Sequence, residues 1–205
     1  TVNRGALPAI FNPEDLNALE EALALKDRYG GTVTVITMGP PKAVEILKEC
    51  LYRGADDAIL LSDKRFAGAD TLATSYALKC AIEKLGGFDV IFSGRQAIDG
   101  DTAQVGPQLA EKLGINQISC ITDVLDCEDN AIKVKRSLDS GYEILRSKLP
   151  LLLTVTNDAN EPRSFSAKRA MAFKKIEKQL EEQLEYQAPK PGEFVSYIRE
   201  WNVDT

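Results

Sequence analysis

"SGRQAIDGDTAQVGPQLAEKLG", residues 93–114, is the stretch on which the reading of this chain turns. The apolar run Val90, Ile91, Phe92 stops at Ser93-Gly94, a polar turn punctuated by Gly100 follows, and a helical pattern runs from 101 to Gly114. Strand, glycine turn and helix in this order begin a crossover unit of a parallel sheet. The main-chain N–H groups at such a helix start, here around Thr102, Ala103, Gln104 and Val105, bind anions through the helix dipole and their own hydrogens. Two carboxylates, Asp99 and Asp101, share the turn. Asp101 reads as the N-cap of the helix and Asp99 as an anchor of the turn. Either is equally suited to accept from a ribose hydroxyl, with Arg95 and Gln96 supplying donors and the arginine offsetting the negative charge.

Outward from this stretch the same alternation repeats. "NPEDLNALEEALALKDRYGG" (12–31) is a helix with Asn12 as N-cap, Pro13 in the first turn, Glu14 and Asp15 at the positive end, and Leu16, Leu19, Ala22 and Leu23 at helical spacing. "TVTVITMG" (32–39) and "DAILLSD" (57–63) are strands, and "PPKAVEILKECLYRGA" (40–55) and "DTLATSYALKCAIEKLGG" (70–87) are helices, the second opening on Asp70. The first helix has no strand before it, so a strand is expected upstream of this sequence. After Gly114 the pattern becomes strands joined by turns at "CEDN" and "LDSG", which predicts antiparallel hairpins closing the sheet. The fold class is therefore α/β, a parallel-core open sheet with crossover helices extended by antiparallel strands. Residues 1–156 form the α/β domain. Residues 157–205 change composition, first basic and then acidic and proline-rich, and read as an arm that contacts a partner and ends on "EWNVDT" without helix or strand.

Composition narrows the function. The chain has 205 residues, 44% hydrophobic, with a net charge of −6, which argues against nucleic acid as a partner. No run of eighteen apolar residues marks a membrane span. The four cysteines lack CxxC spacing and read as packing residues of a reducing, cytoplasmic compartment, Cys50 and Cys80 on helix faces. There is no histidine, so a Ser93-based hydrolase triad is excluded and chemistry must come from carboxylates or a cofactor. The pairs Asp56-Asp57 and Glu181-Glu182 read as solvated faces. No metal site is expected. Neither GxGxxG nor GxxxxGK[ST] occurs, which removes a kinase or ATPase reading. The loops at 38–42, 62–71 and 93–105 each end a strand with glycine before a helix. Any one is an ordinary α/β turn; three together point to a nucleotide at the carboxyl ends of the strands.

"GRQAIDGDTAQVGPQLAE", "NPEDLNALEEAL" and "VTVITMGPP" together resemble the β (small) subunit of electron transfer flavoproteins. "VKRSLDSGYEILRSKLPLLLT" (134–154) matches that family's second characteristic segment through Arg136, Asp139, Glu143 and Pro150, with Ser140 where the family usually carries an acid or glycine. The resemblance runs from Asn3 to Trp201. It implies a nucleotide held by Asn12, Pro13, Glu14, Asp15, Met38, Gly39 and the segment Gly94, Arg95, Gln96, Ala97, Ile98, Asp99, Gly100, Asp101, Thr102, Ala103, Gln104, Val105. It also implies a heterodimer with an α subunit that binds most of a redox FAD. Ordinary members hold AMP in the β site and accept electrons from acyl-CoA dehydrogenase. Electron-bifurcating members hold a second FAD there, and "GADTLATS" with Asp70, Thr71, Thr74 and Ser75 resembles that branch, which favours FAD over AMP. In the family "NEPR" and the loop after it recognise the partner dehydrogenase; Pro162, Arg163, Phe165, Ala167 and Met171 occupy those places. An adenine-nucleotide hydrolase and an inert nucleotide-binding scaffold are the alternatives from other classes.

Overall fold

The computed structural model describes residues 9–174 and 198–201. In order these are α1 (Pro13–Tyr29), β1 (Thr34–Met38), α2 (Val44–Arg53), β2 (Asp57–Leu61), α3 (Thr71–Leu85), β3 (Val90–Gly94), α4 (Val105–Leu113), β4 (Asn116–Glu128), β5 (Ala131–Leu138), β6 (Gly141–Lys148), β7 (Leu151–Val155), a helical stretch at 167–174, and β8 (Ile198–Trp201). The alternation of strands and helices followed by hairpins is the α/β architecture the sequence predicts. Its strands fall into two sheets, in two compact units: Thr1–Gly31 with Lys64–Pro162, and Thr32–Asp63 with Arg163–Thr205.

The first unit carries five strands in the order β3-β7-β4-β5-β6. β7 is parallel to both of its neighbours, with Val90 opposite Leu151 and Gly94 opposite Val155 on one side and Asn116 opposite Leu151 on the other. All five of its residues are buried, which explains the unbroken apolar run: a parallel strand covered on both faces has no side to expose. β4 changes partner along its length. Asn116–Ile118 and Ile121 pair with β7, and from Ile121 on the strand also pairs antiparallel with β5. A bulge at Cys120, whose φ is 59°, makes the switch, and its N–H donates to Thr154 Oγ1 at 3.0 Å. Asp129 and Asn130, with φ of 53° and 56°, form the tight turn read from "CEDN". Arg136 faces Glu143 across β5 and β6 as an ion pair of 2.8 Å. Ile121, Val124, Ile132, Val134, Leu151, Leu153 and Val155 form the core, with Ala18 of α1.

The second unit holds the parallel sheet β1-β2-β8. The end of the chain read as lacking a strand therefore supplies one, Ile198–Trp201. Asp56 is no solvated face: Val33 N–H donates to its Oδ2 at 2.8 Å, while its own N–H donates to Val33 O at 2.9 Å. Asp57 Oδ1 accepts from the N–H of Ala58 at 2.8 Å. Glu181 and Glu182 lie outside the described residues. Cys50 is buried as expected, but Cys80 is exposed. Among the described residues no helix is long and apolar enough to cross a membrane.

Candidate functional site

In the first unit the loops leaving β3 and β7 start from the same, carboxyl-terminal, edge of the parallel strands, where open α/β sheets bind ligands. The loop after β3 is held by the first turn of α1. Gly94 N–H donates to Asp15 Oδ1 at 2.7 Å and Gln96 N–H to Glu14 Oε2 at 2.9 Å. Gln96 O accepts from Asn12 Nδ2 at 2.9 Å, and the same nitrogen reaches Asp15 Oδ2 at 2.8 Å. Arg95 Nε pairs with Glu14 Oε1 at 3.1 Å. The structure thus brings Asn12, Glu14 and Asp15 together with Gly94, Arg95 and Gln96. The acids that suit the helix dipole also accept main-chain hydrogens of the loop. Pro13 occupies the first helical position and is exposed. Asn12 holds the N-cap position, yet its side chain makes no cap: its nitrogen serves the loop, and Oδ1 is buried without a hydrogen-bond partner among the described residues.

Ala97, Ile98, Asp99 and Gly100 form an exposed turn, closed by Asp101 N–H donating to Ala97 O at 2.9 Å. Asp101 is not the N-cap of α4. The helix begins only at Val105, and Asp101 and Ala103 adopt left-handed φ of 49° and 53°. The Asp101 carboxylate instead accepts from Gln96 Nε2. The physical reason is Pro107. Lacking an N–H, it denies the carbonyl of Ala103 a helical bond, so the first one runs from Gln108 N–H to Gln104 O at 3.0 Å. The consequence is a run of main-chain N–H groups, from Thr102 to Gly106, that meet no acceptor among the described residues. Gly106 makes the approach close: a Cβ there would lie 3.0 Å from Thr154 Cγ2 and 3.1 Å from Ser93 Oγ, so a larger residue would press those side chains back by a few tenths of an ångström. Ser93 Oγ is itself buried and unpartnered among the described residues. Unpaired donors on an exposed loop, with an unsatisfied hydroxyl behind them, fit an anionic, phosphate-bearing group.

α3 adjoins this loop. Asp70 caps it by accepting from Ala73 N–H at 2.8 Å. Thr71 Oγ1 donates to Gln104 Oε1 at 3.0 Å and accepts from Gln108 Nε2 at 3.2 Å. Ser75, fully buried, lies 3.3 Å from Gln108 Oε1. These hydroxyls set the two helix starts side by side, and Thr74 is half-buried beside them. Met38 and Gly39 belong to the second unit, where Gly39 N–H donates to Leu61 O at 3.0 Å. Among the described residues no cluster suits a metal ion.

The sequence reading missed Gly106, Gln108 and a polar stripe on α1. Glu14, Asn17 and Glu21, at spacings of three and four, are buried on one helix face, opposite the apolar Leu19 and Leu23. Such buried polar residues inside an amphipathic pattern were the available signal. Burial pushes the Glu21 carboxyl above its ordinary 4.5, with Asp123 adding to the effect and the Asn160 amide and Arg28 opposing it. With the native value above the unfolded one, the contribution of Glu21 is most favourable below pH 4.5 and is lost as pH rises through the native value. Glu21→Gln is expected to remove that decline, so that its stability relative to the parent grows from pH 4.5 to 7 in urea unfolding; identical pH profiles would contradict this.

In the second unit the residues of the arm lie on the end of α2. Ser166 N–H donates to Tyr52 O at 2.9 Å, and Arg169 reaches Leu51 O at 2.9 Å and Ala55 O at 2.6 Å, satisfying carbonyls a helix end leaves open. Arg53 donates to the carbonyl of Arg163. Ala167 is exposed, while Phe165 is 57% and Met171 71% exposed. Pro162 closes the first unit, half-buried.

The sequence matches the electron transfer flavoprotein domain over residues 1–181. It is 51% identical over 169 residues to the electron transfer flavoprotein subunit beta of Clostridium acetobutylicum, covering 82% of this chain and 64% of that protein. It is 51% identical over 168 residues to Protein FixA of Azotobacter vinelandii, covering 80% of this chain and 60% of the relative. It is 50% identical over 167 residues to subunit CarD of the caffeyl-CoA reductase-Etf complex of Acetobacterium woodii, covering 81% and 63%. The chain spans a little under two thirds of the length of these relatives.

Proposed function

Because the chain belongs to the electron transfer flavoprotein domain family, we propose that it is the nucleotide-binding portion of a β-type subunit that carries electrons together with an α subunit. The observation that carries the reading is the run of N–H groups from Thr102 to Gly106 that meet no acceptor among the described residues. They hold the phosphate of an adenine nucleotide, Arg95 offsets the charge of the neighbouring acids, and Asp99 and Asp101 shape the turn beside its sugar. Asp70, Thr71, Thr74 and Ser75 support the site from the start of α3, Thr71 and Ser75 by holding α3 against α4. The nucleotide is FAD rather than AMP; the similarity to CarD, named as a subunit of a reductase-Etf complex, supports that branch. A flavin supplies hydride acceptance and single-electron release, chemistry for which the chain itself has no histidine to offer. The exposed Phe165 and Met171, with Pro162, Arg163 and Ala167, meet a flavin dehydrogenase of the acyl-CoA class. Nucleotides released by denaturing the full-length heterodimer test the assignment. Two FAD per heterodimer are expected; one FAD and one AMP would reassign the chain to the ordinary carriers, and no nucleotide beyond the α-bound FAD would remove the site.

A further inference from the structure

Helix α1 does more than steady the nucleotide loop. Along its sheet-facing side it makes three separate attachments within the first unit. Its first turn grips Gly94 and Gln96. Its middle grips Asn160 of the loop after β7: Asn17 Nδ2 donates to Asn160 O at 2.8 Å and Oδ1 at 3.0 Å, while Asn160 Nδ2 donates back to Asn17 O at 3.0 Å and to Glu21 Oε1 at 2.8 Å. Its last turn reaches β4 through Arg28 Nη2 to Val124 O at 2.9 Å and Tyr29 Oη to Asp126 Oδ1 at 2.9 Å. At 1.5 Å of rise per residue, Glu14 and Glu21 stand about 10 Å apart on one rigid rod. Four hydrogen bonds on a single asparagine, all at part-buried positions, are far more than a loop needs to be covered. Asn160 stands at the root of the arm that opens at residue 157, two residues before Pro162, where the first unit ends.

We infer that α1 is a strut whose Asn17–Asn160 clamp fixes the point at which the chain leaves the nucleotide-binding unit, making Asn17 and Asn160 positioning residues for docking of the dehydrogenase. The inference rests on the electron-carrier reading above. Neither residue lies in the nucleotide loop, so loosening the clamp leaves the cofactor in place and frees the root of the arm, which raises the dehydrogenase concentration needed and leaves the transfer step alone.

The test uses the full-length heterodimer, an acyl-CoA dehydrogenase of the same organism as electron donor, and the dye dichlorophenolindophenol as a small acceptor. Asn160→Ala is expected to raise KM for the dehydrogenase roughly five- to tenfold, with kcat, nucleotide content and dye reduction unchanged. Asn160→Asp keeps the size of the side chain and loses its donor, and is expected to raise KM in the same way should the alanine variant fold poorly. Adding Asn17→Ala to Asn160→Ala should raise KM no further, because the two share one clamp. The inference is overturned if folded, nucleotide-loaded variants keep the parent KM, or if kcat and dye reduction fall with it. Failure of the unaltered heterodimer to accept electrons from any such dehydrogenase would instead refute the electron-carrier reading itself.

Discussion

The heterodimer carrying Gly94→Ala is expected to lose its β-site nucleotide on purification and to unfold more readily. Gly94 ends β3 against the first turn of α1, and a Cβ there would lie 2.8 Å from Asp15 N, 2.9 Å from Asp15 Oδ1 and 2.9 Å from Glu14 C. Two of those atoms are main chain, so the helix itself must retreat. Overpacking of this kind costs about 1–3 kcal/mol, and the retreat also pulls the Glu14 and Asp15 carboxylates from Gln96 and Gly94 N–H. Gly100→Ala is the matched control: nothing lies within 4 Å of its Cβ. Nucleotide content and thermal unfolding of the two variants check this. Equal retention in both would show that the close approach at Gly94 does not shape the site.

Glu14→Ala follows in size. Glu14 is 8% exposed, and its two oxygens hold Arg95 Nε and Gln96 N–H. Without them a part-buried donor has no acceptor, a loss of about 1–3 kcal/mol, or about 2–4 °C in Tm per kcal/mol for a chain of this size. Among the described residues the loop is then held to α1 only through Asp15 and Asn12, and nucleotide affinity is expected to fall roughly tenfold. Glu14→Gln, which keeps an acceptor for Gln96, should recover most of the stability. Isothermal titration of the stripped heterodimer reads both, and an unchanged Kd in Glu14→Ala would show that the strut and the loop are independent.

Much of this was legible before the structure. The Pro-Glu-Asp start of α1, the Asp70 cap, the hairpin turn at Asp129-Asn130 and the buried β7 all follow from local rules: a proline at a helix start, an oxygen for an open N–H, left-handed turn residues, an apolar run for a strand covered twice. What escaped depends on partners distant in sequence. Asn12 looks like a cap, but Gln96, 84 residues away, claims its nitrogen. Asp101 looks like a cap too, yet Pro107 delays the helix to Val105 and leaves the N–H run that carries the functional proposal. Asn17 and Glu21 pass for the polar side of an amphipathic helix until Asn160 is seen against them. That Ile198–Trp201 would add a strand to β2 has no local signal at all, since parallel pairing links segments by no turn.

Hydrogen exchange at the main-chain amides of residues 102–106, compared in the nucleotide-loaded and the nucleotide-stripped full-length heterodimer, bears most directly on the site. Bound phosphate should slow these amides at least roughly tenfold, with the α4 interior exchanging alike in both forms. Equal rates at 102–106, with protection arising elsewhere on the chain, would mean that the open start of α4 is not where the nucleotide is held.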